Sequence, residues 1–136
     1  MKKVLILEDE ENIRSFVVIN LKRAGYEAIE AGEKKLYDQC AAGLSEIRGI
    51  RLLAPDAVGF GPLLFDSDLE DNGLLARALF KRGVCVREGF HCAPLAHRSI
   101  GSDRRGGIRV SLSPFNTARQ VDAFLRILKN EYDGLR

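Results

Sequence analysis

Cys92 lies in the run Arg87-Glu88-Gly89-Phe90-His91-Cys92-Ala93-Pro94, directly after an imidazole and five residues after a guanidinium. A thiolate is the reactive form of cysteine, and neighbouring positive charge or a helix N-terminus lowers its pKa. His91 and Arg87 are candidates for the first effect. Pro94 suits the opening turn of a helix, where a backbone N–H would go unpaired anyway, and so predicts the second. The expectation is a thiol presented between a strand and a short helix that runs to Ile100. The other two cysteines read differently: Cys40 falls on an apolar helical stripe and reads as core, and Cys85 alternates with Val84 and Val86 on an expected strand over 84–87 and reads as structural. An odd cysteine count without C-x-x-C spacing implies neither a disulfide framework nor a zinc knuckle, and reduced thiols fit best. Cys85, His91, Cys92 and His97 are of zinc-ligand type, but their spacing is irregular. For His97 alone, a surface or helix-capping role is the ordinary reading.

The elements that must position this loop are legible as periodicities. Val4 to Leu7 is wholly apolar, as in a strand buried on both faces. Ile13, Phe16, Val17, Asn20, Leu21 and Ala24 recur at helical spacing before Gly25, and Tyr26 to Ile29 reads as a second strand. After a turn at Ala31-Gly32, the stripe Leu36, Tyr37, Cys40, Leu44 and Ile47 predicts a helix ended by Gly49. Ile50 to Leu53 is a short strand, Pro55-Asp56 a turn, and Ala57 to Phe65 an extended stretch in which Pro62 argues for an edge or bulge. The acidic run from Asp66 to Asn72 precedes a helix over 73–82 with Leu74, Leu75, Ala78 and Leu79 inward; capping is favoured over metal binding. Gly101 to Gly107 reads as an exposed turn and Ile108 to Leu112 as a strand with Arg109 and Ser111 on one face. Thr117-x-x-Gln120 is a capping-box pattern ahead of a helix that buries Val121, Phe124, Leu125 and Leu128, with a fraying tail from Asn130.

A chain of 136 residues, 46% hydrophobic and 29% charged, is the size of one ordinary domain. No apolar run approaches the ~20 residues needed to cross a bilayer, so no membrane segment is expected and a cytoplasmic location is. A net charge of +2 without a basic stripe argues against nucleic acid as a partner. An unpaired strand edge offers a route to a homo-oligomer.

Two family resemblances follow from particular residues. Lys3-Val4-Leu5-Ile6-Leu7-Glu8-Asp9-Glu10-Glu11-Asn12-Ile13-Arg14 and Gly25 to Ala31 resemble the opening of bacterial response-regulator receiver domains, over residues 3–32. That resemblance implies that Glu8 and Asp9 match the acidic pair that holds a divalent cation. The strand 50–53 ends in Ala54-Pro55 rather than the receiver's aspartate, so phosphotransfer is not implied. From Glu33 onward, Gly43-Leu44-Ser45-Glu46-Ile47 with Gly49-Ile50-Arg51-Leu52, then Arg87 to His97, then Ile108-Arg109-Val110-Ser111-Leu112 with Phe115-Asn116-Thr117, resemble the small C-terminal domain of a cysteine desulfurase of the pyridoxal-phosphate-dependent, class V aminotransferase family.

The second resemblance implies that Cys92 matches the nucleophile that takes sulfur from substrate cysteine. It implies that Arg109 matches the arginine that holds the substrate carboxylate, and Arg87 an arginine of the active-site loop. His91 joins them as a site residue by adjacency. The family's cofactor needs a Schiff-base lysine, typically preceded by histidine, and no histidine here is followed by lysine. No cofactor is therefore expected on this chain. The combined expectation is a single α/β unit over 1–136, one mixed sheet covered by helices with Val4 to Leu7 inside it, in which a receiver-like βαβ segment (1–32) joins a desulfurase-like segment (33–136). Its expected role is a non-catalytic, recombined or engineered domain. The alternatives are part of a sulfur-transfer enzyme completed by a partner chain, and a degenerate cation-binding or phospho-receiver module.

Overall fold

The core forms where the apolar stripe of one helix meets the inward faces of three strands. The computed structural model describes residues 2–4, 6, 10–25, 27–28, 31–54, 61–102, 104–113 and 115–136. Glu8 and Asp9, the Pro55-Asp56 turn and the first part of the stretch expected over 57–65 lie outside the described residues.

The N-terminal part is the βαβ unit expected from its rhythm: β1 (Lys3–Val4) pairs in parallel with β2 (Glu27–Ala28), and α1 (Glu11–Arg23) connects them. The buried face of α1 differs from the simplest reading of its pattern. Arg14 and Val18 are buried, whereas Ile13 is 51% and Phe16 69% exposed. The helix carries apolar residues on two adjoining arcs, and a 3.6-residue period does not choose between them.

The remainder is built on α2 (Ala31–Glu46), β3 (Ile50–Leu53), β4 (Leu63–Ser67), α3 (Asn72–Lys81), β5 (Arg87–Gly89), α4 (Pro94–Ser99), β6 (Gly107–Val110) and α5 (Ala118–Leu135). The α/β class expected from the sequence holds. Among the described residues the strands divide, however, between the parallel β1–β2 pair and a four-stranded antiparallel sheet in the order β3-β4-β6-β5, in place of the one mixed sheet expected; Leu5 and Leu7 of the strand expected over 4–7 lie outside the described residues. The reason lies in β3 and β4, whose register Ile50↔Ser67 to Leu53↔Leu64 pairs them with each other on one side and leaves β3 as an edge.

Helices α2 and α3 pack on this sheet and α5 packs on both helices. One sheet face supplies Ile50, Leu63, Phe65, Ile108 and Val110 to the core, and they meet Cys40, Leu44, Leu75, Leu79 and Leu128. The α2 stripe read from the sequence is buried at every position, Leu36, Tyr37, Cys40, Leu44 and Ile47. The helix nonetheless starts at Ala31 rather than after a turn there. In α3, Leu75 and Leu79 are inward as expected, but Leu74 is exposed. Pro62 precedes β4, a central strand, so its missing N–H costs no ladder bond and neither an edge nor a bulge is needed.

Val84 and Val86 pack on the core, yet ladder pairing starts only at Arg87, later than the strand expected over 84–87. The capping box closes as read: Gln120 N donates to Thr117 Oγ1 at 3.2 Å and Thr117 N to Gln120 Oε1 at 2.9 Å. The expected fraying tail is instead helix as far as Leu135, because Tyr132 is fully buried and its hydroxyl donates to Asp68 at 2.5 Å.

Two predictions follow from this packing. Gly49 has φ +91°, and a Cβ there would fall 1.7 Å from the Tyr132 hydroxyl oxygen. Gly49→Ala combines left-handed strain with overpacking, and should lower unfolding free energy by about 2–4 kcal/mol in urea titration. Burial pushes the Cys40 thiol from 9.0 up to about 12. A raised pKa means the folded chain holds this proton more tightly than the unfolded one. The contribution is therefore complete below the unfolded value of 9.0 and is lost as pH climbs towards 12. Tyr132, raised by burial and then by its bond to Asp68, adds to the same alkaline loss. Urea midpoints measured across the alkaline range should fall with pH, and Cys40 should react with a thiol reagent only after denaturant is added.

Candidate active site

The thiol loop hangs from the edge strand β5. Antiparallel pairing with β6 places Arg87 opposite Arg109, Glu88 opposite Ile108 and Gly89 opposite Gly107. Because Ile108 and Val110 face the core, Arg109 faces away from it, and its partner Arg87 lies on that same outer face. Like charges set directly across a ladder repel each other. Among the described residues neither guanidinium has an ion pair, although Arg51 and Arg105 on neighbouring elements both reach Asp66, at 3.4 and 3.7 Å. Arg109 is half-buried and Arg87 exposed, and two unneutralised arginines side by side have the chemistry to take a carboxylate or similar anion, which accepts hydrogen bonds from planar guanidinium forks.

Beyond β5 the chain turns sharply. His91 and Cys92 both adopt left-handed backbone, with φ +52° and +59°, a conformation that costs non-glycine residues about 1–2 kcal/mol each. The turn closes through Ala93 N–H donating to Phe90 O at 2.9 Å, and through His91 Nε2, which lies 2.9 Å from Arg87 O and must be the donor because a carbonyl only accepts. Cys92 is exposed at its apex, directly before α4, which begins at Pro94 as expected. Strand, thiol and short helix thus follow in the order read from the sequence. The fold adds the cross-strand pairing of Arg87 with Arg109.

Other sites fall elsewhere. Cys85 does alternate with Val84 and Val86, but it is exposed rather than structural, at the rim of a cavity of about 140 Å³ lined by Val86, Val110, Val121 and Phe124. Among the described residues no three His, Cys, Asp or Glu side chains gather as a metal would require. Asp71 caps α3 by accepting from Gly73 N–H at 2.7 Å. Asp66 and Ser67, expected in a loop, end β4 and are bound to Asn72.

Two residues that sequence reasoning did not select are also here. His97, expected at the surface or as a cap, is 3% exposed, and its Nδ1 lies 2.7 Å from the hydroxyl oxygen of Ser102, itself buried. Phe90 meets the His97 ring edge-on at 5.3 Å, and His91 stacks on it at 5.8 Å. A histidine six residues after His91 in a short helix was the only signal available.

The arginine pair yields a direct expectation. Added sulfate or a small amino-acid carboxylate should raise the melting temperature of the parent chain, and Arg109→Ala should abolish the shift. Without anion the same substitution should leave stability unchanged or slightly higher, since it relieves like-charge repulsion. Thermal scans with and without anion decide it.

Most of the chain is similar to known proteins. A "Probable cysteine desulfurase" of Mycolicibacterium paratuberculosis is 31% identical over 114 residues, 84% of this chain but 16% of that protein. One of Pseudomonas putida is 29% identical over 109 residues, 80% of this chain and 26% of the relative. The chain therefore spans well under a third of either relative. Among solved structures, the apo cysteine desulfurase of Thermococcus onnurineus superposes with a TM-score of 0.71 at 27% identity, covering 90% of this chain and 29% of the other. No helix among the described residues is long and apolar enough to cross a membrane. The Aminotransferase class-V family model matches residues 16–124, beginning inside α1, and on that match the chain belongs to the class-V aminotransferase family.

Proposed function

We propose that this chain is the thiol-bearing small part of a cysteine-desulfurase-type enzyme, with Cys92 as sulfur acceptor and Arg109, assisted by Arg87, as the holder of the substrate carboxylate. The observation that carries this reading is the cross-strand pairing of Arg87 with Arg109, three residues of β5 away from a loop that exposes Cys92. A cysteine substrate offers a carboxylate and a sulfur within one small molecule, and the site offers a partner for each. His91 belongs to the loop's framework, through its bond to Arg87 O.

The cofactor of this family is pyridoxal phosphate, and the described residues do not fit its covalent attachment: Lys2, Lys22, Lys34, Lys35, Lys81 and Lys129 are all exposed, and Lys34 is paired with Asp38 at 2.7 Å. A cofactor-binding part from elsewhere in the protein, or from a partner chain, is therefore part of the proposal. The same lysine exposure favours a second reading, a non-catalytic domain of relic or recombined origin that keeps the loop without its chemistry.

One experiment separates the two. This chain is joined to the large domain of the Pseudomonas putida relative in place of that protein's own small part, and alanine release from L-cysteine is followed. The enzyme reading expects turnover that Cys92→Ala removes, and a KM raised about tenfold or more by Arg109→Ala. A hybrid that binds pyridoxal phosphate, as seen by its absorbance, yet releases no alanine would favour the non-catalytic domain.

A further inference from the structure

The His91–Cys92 turn holds two adjacent residues in left-handed backbone, and neither is a glycine. Such a conformation persists only where its surroundings over-determine it. The two hydrogen bonds within the turn come from its own flanks, so the support that opposes relaxation has to come from behind it. What lies behind it is the His97 ring.

That ring is buried, in T-shaped contact with Phe90 and stacked against His91, the two residues that lead into Cys92. The ring is itself held. Ser102 Oγ lies 2.7 Å from His97 Nδ1 and 3.4 Å from His97 O. Both contacts are satisfied together when Nδ1–H donates to the hydroxyl and the hydroxyl donates to the carbonyl. Ser102 N–H also donates to His97 O at 2.8 Å, and Gly106 N–H to Ser102 O at 2.8 Å.

From there the chain of support reaches the sheet. Gly106 packs so closely on β5 that a Cβ would lie 2.4 Å from Gly89 O. Arg105 donates to Ser67 O at 3.1 Å and to Leu69 O, at the end of β4. Ser102, Arg105 and Gly106, expected in an exposed turn over 101–107, thus form the strut that locks the ring.

We propose that His97, oriented by Ser102, is the positioning residue of the thiol loop: its ring is the platform that fixes the left-handed turn and so sets how Cys92 is presented. The proposal rests on the reading of Cys92 as the nucleophile for its purpose, but not for its test, which needs neither cofactor nor substrate. Loss of alanine release in the hybrid would overturn that reading and leave this one standing.

Two variants separate ring from hydrogen bond. His97→Asn keeps a polar partner for Ser102 and removes the platform, and His97→Phe keeps a ring and removes the polar partner. In the intact chain, amide exchange over 90–93 is measured together with the iodoacetamide labelling rate of Cys92, using exposed Cys85 in the same molecule as reference. His97→Asn should speed exchange about tenfold and change the Cys92-to-Cys85 ratio by about threefold or more at near-parental melting temperature, while His97→Phe should hold both close to parental values. Ser102→Ala, which frees the ring to turn, should move both readouts in the direction of His97→Asn by a smaller factor, and it serves if His97→Asn does not fold. Parental exchange and ratio in His97→Asn, or equal loosening in His97→Phe, would overturn the proposal.

Discussion

The pairing of β6 with its two neighbours is the constraint on which the rest depends. Successive residues of a strand face opposite sides of the sheet, so seating Ile108 and Val110 against Phe65 and Leu63 leaves Arg109 no direction but outward. A slip of one residue would bury the guanidinium and expose two core residues. The hydrophobic side of the sheet therefore fixes the register, and the register fixes where Arg87 and Arg109 meet. Core and arginine pair lie on the two faces of one sheet.

Burial and exposure divide the three cysteines along the same lines. Cys40 sits wholly inside the α2 stripe, where burial suppresses its ionisation and so its nucleophilicity. Cys85 and Cys92 are both exposed, yet only Cys92 sits in a turn held from behind by the buried His97 ring and flanked by the β5–β6 pair, which sets Arg87 across from Arg109. The difference between them is mechanical support. The left-handed backbone is tolerable because His97 and the strut of Ser102, Arg105 and Gly106 leave the loop few alternatives.

The class-V aminotransferase match from Phe16 to Phe124 takes in α1 as well as the antiparallel sheet. This helix is also where pattern reading was least informative, since its apolar residues occupy two arcs and only one, with Val18, is buried among the described residues. The stripe of α2 and the face of α5 were unambiguous because each has a single apolar arc and a clear end signal, Gly49 in one case and the Thr117–Gln120 box in the other.

The sequence by itself determined the α/β class, the presence of the helices, the α5 capping box, Cys40 as core, and the strand–thiol–helix order around Cys92, because period, glycine and proline act locally and leave local traces. It also carried Arg109 and Arg87 as candidates, but not their meeting. Tertiary structure decided which strands pair, placing Arg87 across from Arg109, extending α5 through Tyr132, and burying His97 beneath the loop. Those outcomes depend on contacts between residues far apart in the chain, and no local period records which distant partner a side chain will meet.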